Sequence, residues 1–327
     1  MKFLIIQTAF IGDVILATSL IEKLHEDYPE ARIDMLVRKG NEKLLEYHPF
    51  IHEIIIWDKK AGKYRSLIKT IKKIRKNKYD HLINCQRFAS SGIISLFAKA
   101  KIKSGFKKNP ISFCYDYARE HEIGNGKHEI ERNYELIRHI AKNHHIPKPE
   151  LYPSKINFTK SKAFTEGQYI VMAPASVWYT KQLPIEKWLE LIEKTQKKYN
   201  IYLVGSPDDK NICNKIIQHV SGKKPVNLAG KLSLLDTAAM MKNAKMNFVN
   251  DSAPLHLATA MNAPVTAFFC STVPEFGFGP LSEVSVIAQT EKNLDCRPCG
   301  LHGKKECPQG HFKCALTIDI KKIAIKD

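Results

Sequence analysis

Residues 250–261, NDSAPLHLATAM, decide how this chain folds. They follow a short apolar run containing Met246, Phe248 and Val249, the composition of a β-strand. They then open a helix. Asp251 and Ser252 are N-cap residues, and Pro254 suits the first turn, where its missing N–H costs nothing. A strand that turns straight into a helix is the repeating corner of an α/β sheet. The start of such a helix offers unpaired backbone N–H groups and a positive dipole end, which together suit phosphate. A capped helix without a ligand is the plainer reading of the stretch by itself.

The same corner recurs on both sides. Strands are expected at residues 169–172, 201–204, 226–228, 246–249 and 265–269, with helices over 185–198, 208–220 and 234–242 between them. In the first half, strands are expected at 3–6, 33–37, 54–57 and 82–84. Val14, Ala17, Leu20, Ile21 and Leu24 recur at helical spacing, as do Leu67, Ile71 and Ile74, and a further helix is expected near 92–100. This βαβα order predicts parallel sheets covered by helices on both faces. Between the halves, IPKPELYPSKI (146–156) carries three prolines within seven residues and reads as a linker. The expected organisation is two Rossmann-like doubly wound domains, 1–150 and 151–327. Ligands of such sheets bind beyond the carboxyl ends of the strands, and two of them are expected to face each other across a ligand cleft.

Composition agrees. A chain of 327 residues exceeds the size at which a single core stops growing, and 44% hydrophobic and 26% charged residues are ordinary for a globular protein. No apolar run approaches the roughly 18 residues of a membrane span. MKFLIIQTAF runs directly into Gly12-Asp13 and a periodic helix, so it reads as a first strand rather than a signal peptide. Lys and Arg number 51 against 33 Asp and Glu, a net charge of +18. That balance favours a polyanionic partner (nucleic acid, an anionic membrane surface or a phosphorylated substrate) without choosing among them, and a Lys-rich proteome produces it too.

Several constellations carry chemistry. Gly12-Asp13 follows the first strand, where Asp13 either caps the helix or serves as a base for an acceptor hydroxyl. The helix dipole is expected to lower its pKa. Residues 174–181, PASVWYTK, follow the first strand of the second half. Ser176 and Thr180 are donors to phosphate oxygens, Lys181 is a point charge for them, and Trp178 and Tyr179 offer surfaces for a base or sugar. GSPDD (205–209) ends the next strand with Gly205 and two carboxylates, Asp208 and Asp209, suited to ribose hydroxyls or to a helix cap. His256 is expected one turn inside the helix of the opening stretch. Cys296, Cys299, Cys307 and Cys314 form a cluster that either completes a tetrahedral zinc site, with His302 and His311 as substitute ligands, or consists of buried free thiols. Residues 59–78 hold ten Lys or Arg and no acid around the Leu67, Ile71, Ile74 stripe. They suit an anionic surface or a solvated face equally. No G-x-G-x-x-G or Walker A loop is present.

Taken in order, these segments resemble the ADP-heptose:lipopolysaccharide heptosyltransferase family (glycosyltransferase family 9). IIQTAFIGDVILATSLIEKL (5–24) looks like the family's opening strand, Gly-Asp turn and first helix, and HEIERNYELI (128–137) like the helix that ends its first domain. The PAS…TKQLP…W loop, GSPDD, NDSAPLHLATAMNAPVTAFF and CRPCGLHGKKECPQGHFKCA follow in family order over nearly the whole chain. The resemblance implies a GT-B fold with an N-terminal acceptor-side domain and a C-terminal donor domain. It implies inverting, metal-independent transfer of heptose from ADP-heptose to the lipopolysaccharide inner core, with no cofactor. Asp13 is then the general base and Lys181 a diphosphate contact. Asp251, Ser252, Ala253 and His256 line the diphosphate and donor sugar, Ser176 and Thr180 belong to the donor loop, and Asp209, or its neighbour Asp208, meets the nucleotide. Val177 and Trp178 stand where members often carry hydroxyl residues.

The expected protein is a monomeric cytoplasmic glycosyltransferase, peripherally associated with the inner face of the cytoplasmic membrane, where its lipopolysaccharide acceptor sits, and binding no nucleic acid. Two alternatives stay open: another GT-B nucleotide-sugar enzyme, with a different donor or an epimerase activity, and a non-enzymatic basic module that binds nucleic acid. Against the second, no aromatic–basic ladder is present.

Overall fold

A computed structural model describes residues 1–325, apart from the side chain of Lys63; residues 326 and 327, the end of the expected second domain, lie outside the described residues. The chain divides into two compact units, Met1–Tyr152 and Pro153–Asp327.

In the first unit the elements run β1 (Lys2–Ile6), α1 (Ile11–Asp27), β2 (Arg32–Arg38), β3 (Ile51–Trp57), α2 (Lys63–Ile74), β4 (Tyr79–Asn84), α3 (Ala89–Phe97), β5 (Ala100–Phe106), β6 (Tyr117–Arg119) and α4 (Glu129–Tyr134). Among the described residues, the strands make one six-stranded sheet in the order β3-β2-β1-β4-β5-β6, every pair parallel. Phe3, Leu4, Ile5 and Ile6 of β1 are fully buried, because a central parallel strand is covered on both faces and so carries an unbroken apolar run. Strand order reverses at β1 and β4. The loops leaving these two strands, one leading to Asp13 and the other holding Cys85 to Arg87, therefore meet at the topological switch point, the usual ligand crevice of such a sheet.

The second unit repeats the plan: α5 (Lys155–Lys162), β7 (Tyr169–Ala173), α6 (Ile185–Thr195), β8 (Asn200–Leu203), α7 (Lys210–His219), β9 (Val226–Asn227), α8 (Leu234–Lys242), β10 (Met246–Asn250), α9 (Ala253–Ala260), β11 (Val265–Phe269), β12 (Ser285–Gln289) and α10 (Lys313–Leu316). Its strands pair in parallel as β12-β11-β10-β7-β8-β9, again six among the described residues. Ile170, Met172, Trp188, Phe248 and Phe268 fill its core, and the Trp188 indole N–H donates to the Leu183 carbonyl at 3.1 Å. Here the reversal falls at β7 and β10. The loop after β7 and the opening of α9 share that switch point.

The two doubly wound sheets bear out the expected fold class. Boundaries moved where local signals were weak. The helix expected over 92–100 is α3, ending at Phe97, because Ala100 already begins β5. β5 was not expected, since Lys101 and Lys103 interrupt its apolar pattern, and neither were the three-residue β6 and the edge strand β12. Part of the proline-rich linker is helical. Ser154 and Asn157 form a reciprocal cap for α5, and Asn157 and Lys160 bond the Asp236 carboxylate on α8 at 2.8 and 2.6 Å. Tertiary partners, not an amphipathic stripe, hold α5 in place. No helix among the described residues is long and apolar enough to cross a membrane.

Candidate functional site

Asp13 is the third residue of α1, whose N-cap is Phe10 and makes no side-chain cap bond. Asp13 is thus a first-turn residue, not the cap itself. The residue is half-buried, and its carboxyl is pushed up from 3.8 to about 6, first by burial and then by the charge of Glu129; backbone N–H groups at the helix start and the Arg87 guanidinium pull the other way. The shift is opposite in sign to the one expected from the helix dipole, because desolvation and a second carboxylate outweigh it. A carboxyl near 6 is a far better proton acceptor than an ordinary aspartate. Beside the same turn, Lys59 donates to the Thr8 carbonyl at 2.9 Å and lies 4.7 Å from the Trp57 ring centroid. The first residue of the basic run is therefore tied to the β1–α1 loop. The helical part of that run, α2, exposes Tyr64 and Ile68.

In the second unit the loop after β7 is held from beneath by Asn250, a fully buried residue at the end of β10. Its Oδ1 accepts the Leu183 N–H at 3.0 Å and its Nδ2 donates to the Pro174 carbonyl at 2.9 Å. One side chain thereby fixes both ends of the segment carrying Ser176, Thr180 and Lys181. We expect Asn250→Ala to cost about 2–4 kcal/mol, since both loop groups lose their partner in a buried setting, and to raise the donor KM. Urea unfolding and donor titration check the two effects together.

Lys181 Nζ sits 2.6 Å from Asp251 Oδ2, and the same oxygen accepts the Thr272 hydroxyl at 2.6 Å. Lys181 and Asp251 are only 14% and 8% exposed at their side chains, so the ammonium is aimed rather than free to wander. Ser252 is the N-cap of α9, but its side chain makes no cap bond to the helix; Oγ instead donates weakly to the Asn250 carbonyl at 3.4 Å. Pro254 lies in the first turn, as expected. Ala253 begins the helix, and His256 is buried one turn in. Lys181, Asp251, Ser252 and Ala253 thus share the β7/β10 switch point: a cation beside a helix start whose N-cap side chain makes no cap bond, suited to the charge of a diphosphate.

Two candidates turn inward. Thr180 is buried, and its hydroxyl accepts from Ser271 Oγ at 2.9 Å and from the Lys304 N–H at 2.7 Å. Asp209 Oδ2 accepts from the Ser206 N–H and hydroxyl at 2.7 and 2.8 Å. A Cβ on Gly205 would lie 2.8 Å from the Asp209 Cβ, so this turn requires glycine. Asp208 is exposed beside it, and Ser176 is half-buried. Tyr179 stacks on Phe312, with ring centroids 5.3 Å apart.

The cysteine segment buttresses this corner. Cys299 N–H donates to the Ser271 carbonyl at 2.8 Å, and Thr180 N–H to the Lys304 carbonyl at 3.1 Å. Gly303 has φ +75°, and a Cβ there would come within 2.9 Å of Lys181 Cγ, so only glycine lets the segment lie against the lysine. Arg297 clamps the end of β11 through the carbonyls of Phe269, Cys270 and Thr272, at 3.1, 2.8 and 2.8 Å. The four thiols are free. Cys296 Sγ approaches His311 Nε2 at 3.9 Å, while among the described residues no group of three or more His, Cys, Asp or Glu side chains is arranged to hold a metal ion. Burial pushes Cys314 up to about 11. Of the residues at work here, sequence reasoning missed Thr272, Ser271 and Arg297. Each acts through contacts across 15 or more residues of chain, and no local pattern announces such contacts.

A sequence profile of glycosyltransferase family 9 (heptosyltransferase) matches residues 67–310. The chain is similar to lipopolysaccharide heptosyltransferase 3 of Escherichia coli, 26% identical over 277 residues that cover 80% of this chain and 82% of that one. Its fold is similar to that of E. coli ADP-heptose lipopolysaccharide heptosyltransferase II, with a TM-score of 0.79, 22% identity, and coverage of 91% of this chain and 96% of that one. It is also similar to E. coli heptosyltransferase WaaC, solved with ADP, with a TM-score of 0.71, 21% identity, and coverage of 88% and 92%.

Proposed function

The chain belongs to glycosyltransferase family 9, the heptosyltransferases, and on that premise we propose that it transfers a heptose from ADP-heptose to the lipopolysaccharide inner core with inversion at the anomeric carbon. The acceptor hydroxyl attacks that carbon from the face opposite the diphosphate. A C–O bond forms to the sugar, the bond to the diphosphate oxygen breaks, ADP leaves, and the proton passes to Asp13. The observation that carries the proposal is the Lys181–Asp251 contact of 2.6 Å beside the open start of α9. In this scheme Lys181 and the first N–H groups of α9 take the charge of the leaving diphosphate, a task given to a divalent metal in other designs. Ser176, Ser252, Ala253 and His256 line the diphosphate and sugar. Thr180 and Asp209 shape the donor loop and nucleotide turn from behind.

The nucleotide half of the donor is supported by the ADP in the related WaaC structure, and the sugar half by the heptosyltransferase relatives. Work at the inner face of the cytoplasmic membrane is supported by the +18 charge, since an inner-core acceptor is anionic. Neither alternative is favoured by the family match. A donor screen tests the proposal: nucleotide sugars are offered one at a time, with thermal shift and transfer to truncated inner-core lipopolysaccharide as readouts. ADP-heptose is expected to raise Tm and give an inverted product. Turnover of a UDP-sugar without any acceptor would make the protein an epimerase instead. A steeply salt-dependent RNA gel shift without sugar transfer would make it a nucleic-acid binder.

A further inference from the structure

Two exposed phenylalanines stand at matching corners of the first sheet. Ile6 and Asn84 face each other where β1 and β4 pair. Four residues beyond each comes a helix N-cap, Phe10 before α1 and Phe88 before α3. A phenyl ring cannot accept the helix N–H groups as Ser, Thr, Asp or Asn would, and neither ring is buried instead: Phe10 is 63% exposed and Phe88 59%. Strand order reverses between β1 and β4, so right-handed crossovers send α1 and α3 to opposite faces, and their starts bound the switch-point crevice from two sides. Each ring also carries an arginine. Arg38 Cζ, at the end of β2, lies 4.9 Å from the Phe10 ring centroid, and Arg87 Cζ lies 5.7 Å from that of Phe88, both within cation–π reach. The two arginines are half-buried, yet among the described residues neither makes an ion pair with a carboxylate. Acids in these neighbourhoods are taken by other cations: Asp58 pairs with Lys39 and Glu129 with Arg132, each at 2.7 Å.

Both corners are held still. On the Phe10 side, Lys59 donates to the Thr8 carbonyl at 2.9 Å and Asn41 Nδ2 to the Ala9 carbonyl at 3.1 Å. On the Phe88 side, Asn109, 1% exposed, donates from Nδ2 to the Gln86 and Phe88 carbonyls at 2.9 and 3.1 Å. The side-chain amides of Gln86 and Gln7 bond one loop to the other. We infer that Phe10 with Arg38 and Phe88 with Arg87 form the acceptor subsite, and that it selects an acidic sugar. The C–H face of a sugar ring is apolar and slightly positive, so it settles on the negative face of a phenyl ring. The guanidinium beside that ring then takes the sugar's carboxylate or phosphate oxygens, the partner that the folded chain does not give it. Asp13 lies three residues beyond Phe10 in the first turn of the same helix, which puts the proton acceptor beside this seat. What happens to the seated hydroxyl rests on the transfer proposed above; the seat itself is a binding claim.

Calorimetry on the full chain saturated with ADP, with truncated inner-core lipopolysaccharide as the probe, reads the seat without turnover. It is run at about pH 8, where Asp13 is ionised in every variant and its titration does not enter. Arg38→Gln and Arg87→Gln should each weaken acceptor binding by about 10- to 100-fold, the loss of a hydrogen bond to a charged group, and leave the Kd for ADP as in the wild type. Phe10→Ser and Phe88→Ser should each weaken it by about three- to tenfold. The same acceptor is then offered with its carboxylates methyl-esterified, or with its phosphates removed. One of these forms should bind the wild type weakly and erase the difference between wild type and arginine variants, and the form that does so identifies the anion. An acceptor Kd unmoved in both arginine variants overturns the inference, as does an arginine loss of the same size on both modified acceptors. If circular dichroism shows an arginine variant unfolded, the phenylalanine variants decide, and an unmoved acceptor Kd in both overturns it. A wild type that binds the acceptor but transfers nothing from ADP-heptose would sink the proposed reaction and leave the Kd series to judge the seat, so the two failures are separable.

Discussion

Asp13→Asn lowers kcat for sugar transfer by about 100- to 10,000-fold, the usual contribution of a positioned general base, and leaves the Kd for ADP unchanged. The expectation follows from two facts: the carboxyl sits where the switch point of the first sheet opens, and it is pushed up to about 6. The amide keeps the size of the side chain but cannot accept the acceptor's proton. Donor affinity is spared because the proposed donor contacts belong to the second unit. The same substitution has a stability signature. In the folded chain the Asp13 carboxyl is pushed up to about 6, above its ordinary value of 3.8. The wild type therefore holds its full stability below about pH 4 and loses part of it as pH rises through 6. Asn does not titrate, so the variant should gain on the wild type between those values, by about 2–3 kcal/mol once Asp13 is fully ionised. Thermal unfolding at pH 4 and pH 8, run beside the kinetic assay, reads both effects. A variant that turns over at the wild-type rate refutes the base assignment. One that is inactive but whose stability relative to the wild type is no greater at pH 8 than at pH 4 refutes the account of why the base is strong.

Lys181→Ala should lower kcat by about 100- to 1,000-fold, the range seen when one fixed donor to a developing anion is removed, and should weaken ADP binding as well. Here ground state and transition state are both affected, because the diphosphate is charged in each and only gains charge as the sugar leaves. The substitution also strands Asp251. That carboxylate is 8% exposed and, among the described residues, would keep the Thr272 hydroxyl as its side-chain partner. Breaking a buried pair from one side costs about 3–5 kcal/mol, so a drop in Tm is expected in the free enzyme. Lys181→Met/Asp251→Asn should recover much of that stability and none of the activity. Calorimetry with ADP and steady-state kinetics on the single and double variants separate structural loss from chemical loss. Unchanged kcat and ADP affinity in Lys181→Ala would remove the lysine from the site.

Much of the fold was legible because parallel strands buried on both faces leave unbroken apolar runs, and the helices between them leave a period near 3.6. β1 and β10 were found that way. β5 was not, because Lys101 and Lys103 sit within it and its place is secured by β4 and β6 rather than by its own pattern. The site was legible as a set of corners: a strand end, then a turn rich in Gly, Asp, Ser or Pro, then a helix. Chemistry within each corner was less legible. Thr180 and Asp209 carry suitable groups, yet their oxygens are engaged with Ser271, Lys304 and Ser206. Nothing in PASVWYTK or GSPDD distinguishes a hydroxyl or carboxylate that faces a ligand from one that closes a turn.

The sequence by itself determined the alternation of strands and helices, the two-unit plan, the family resemblance and the residue types gathered at each strand end. These depend on composition and short-range periodicity, which the chain carries wherever it folds. Tertiary structure alone decided which of those residues come together. It brought Lys181 against Asp251 across 70 residues, set Asn250 beneath the loop after β7 and laid Gly303 on Lys181. The sign of the Asp13 shift is the clearest case. From the sequence it was a helix-start aspartate with a lowered pKa. Only the folded chain supplies the burial and the second negative charge, that of Glu129, that reverse it, since both depend on distances through space that no sequence interval encodes.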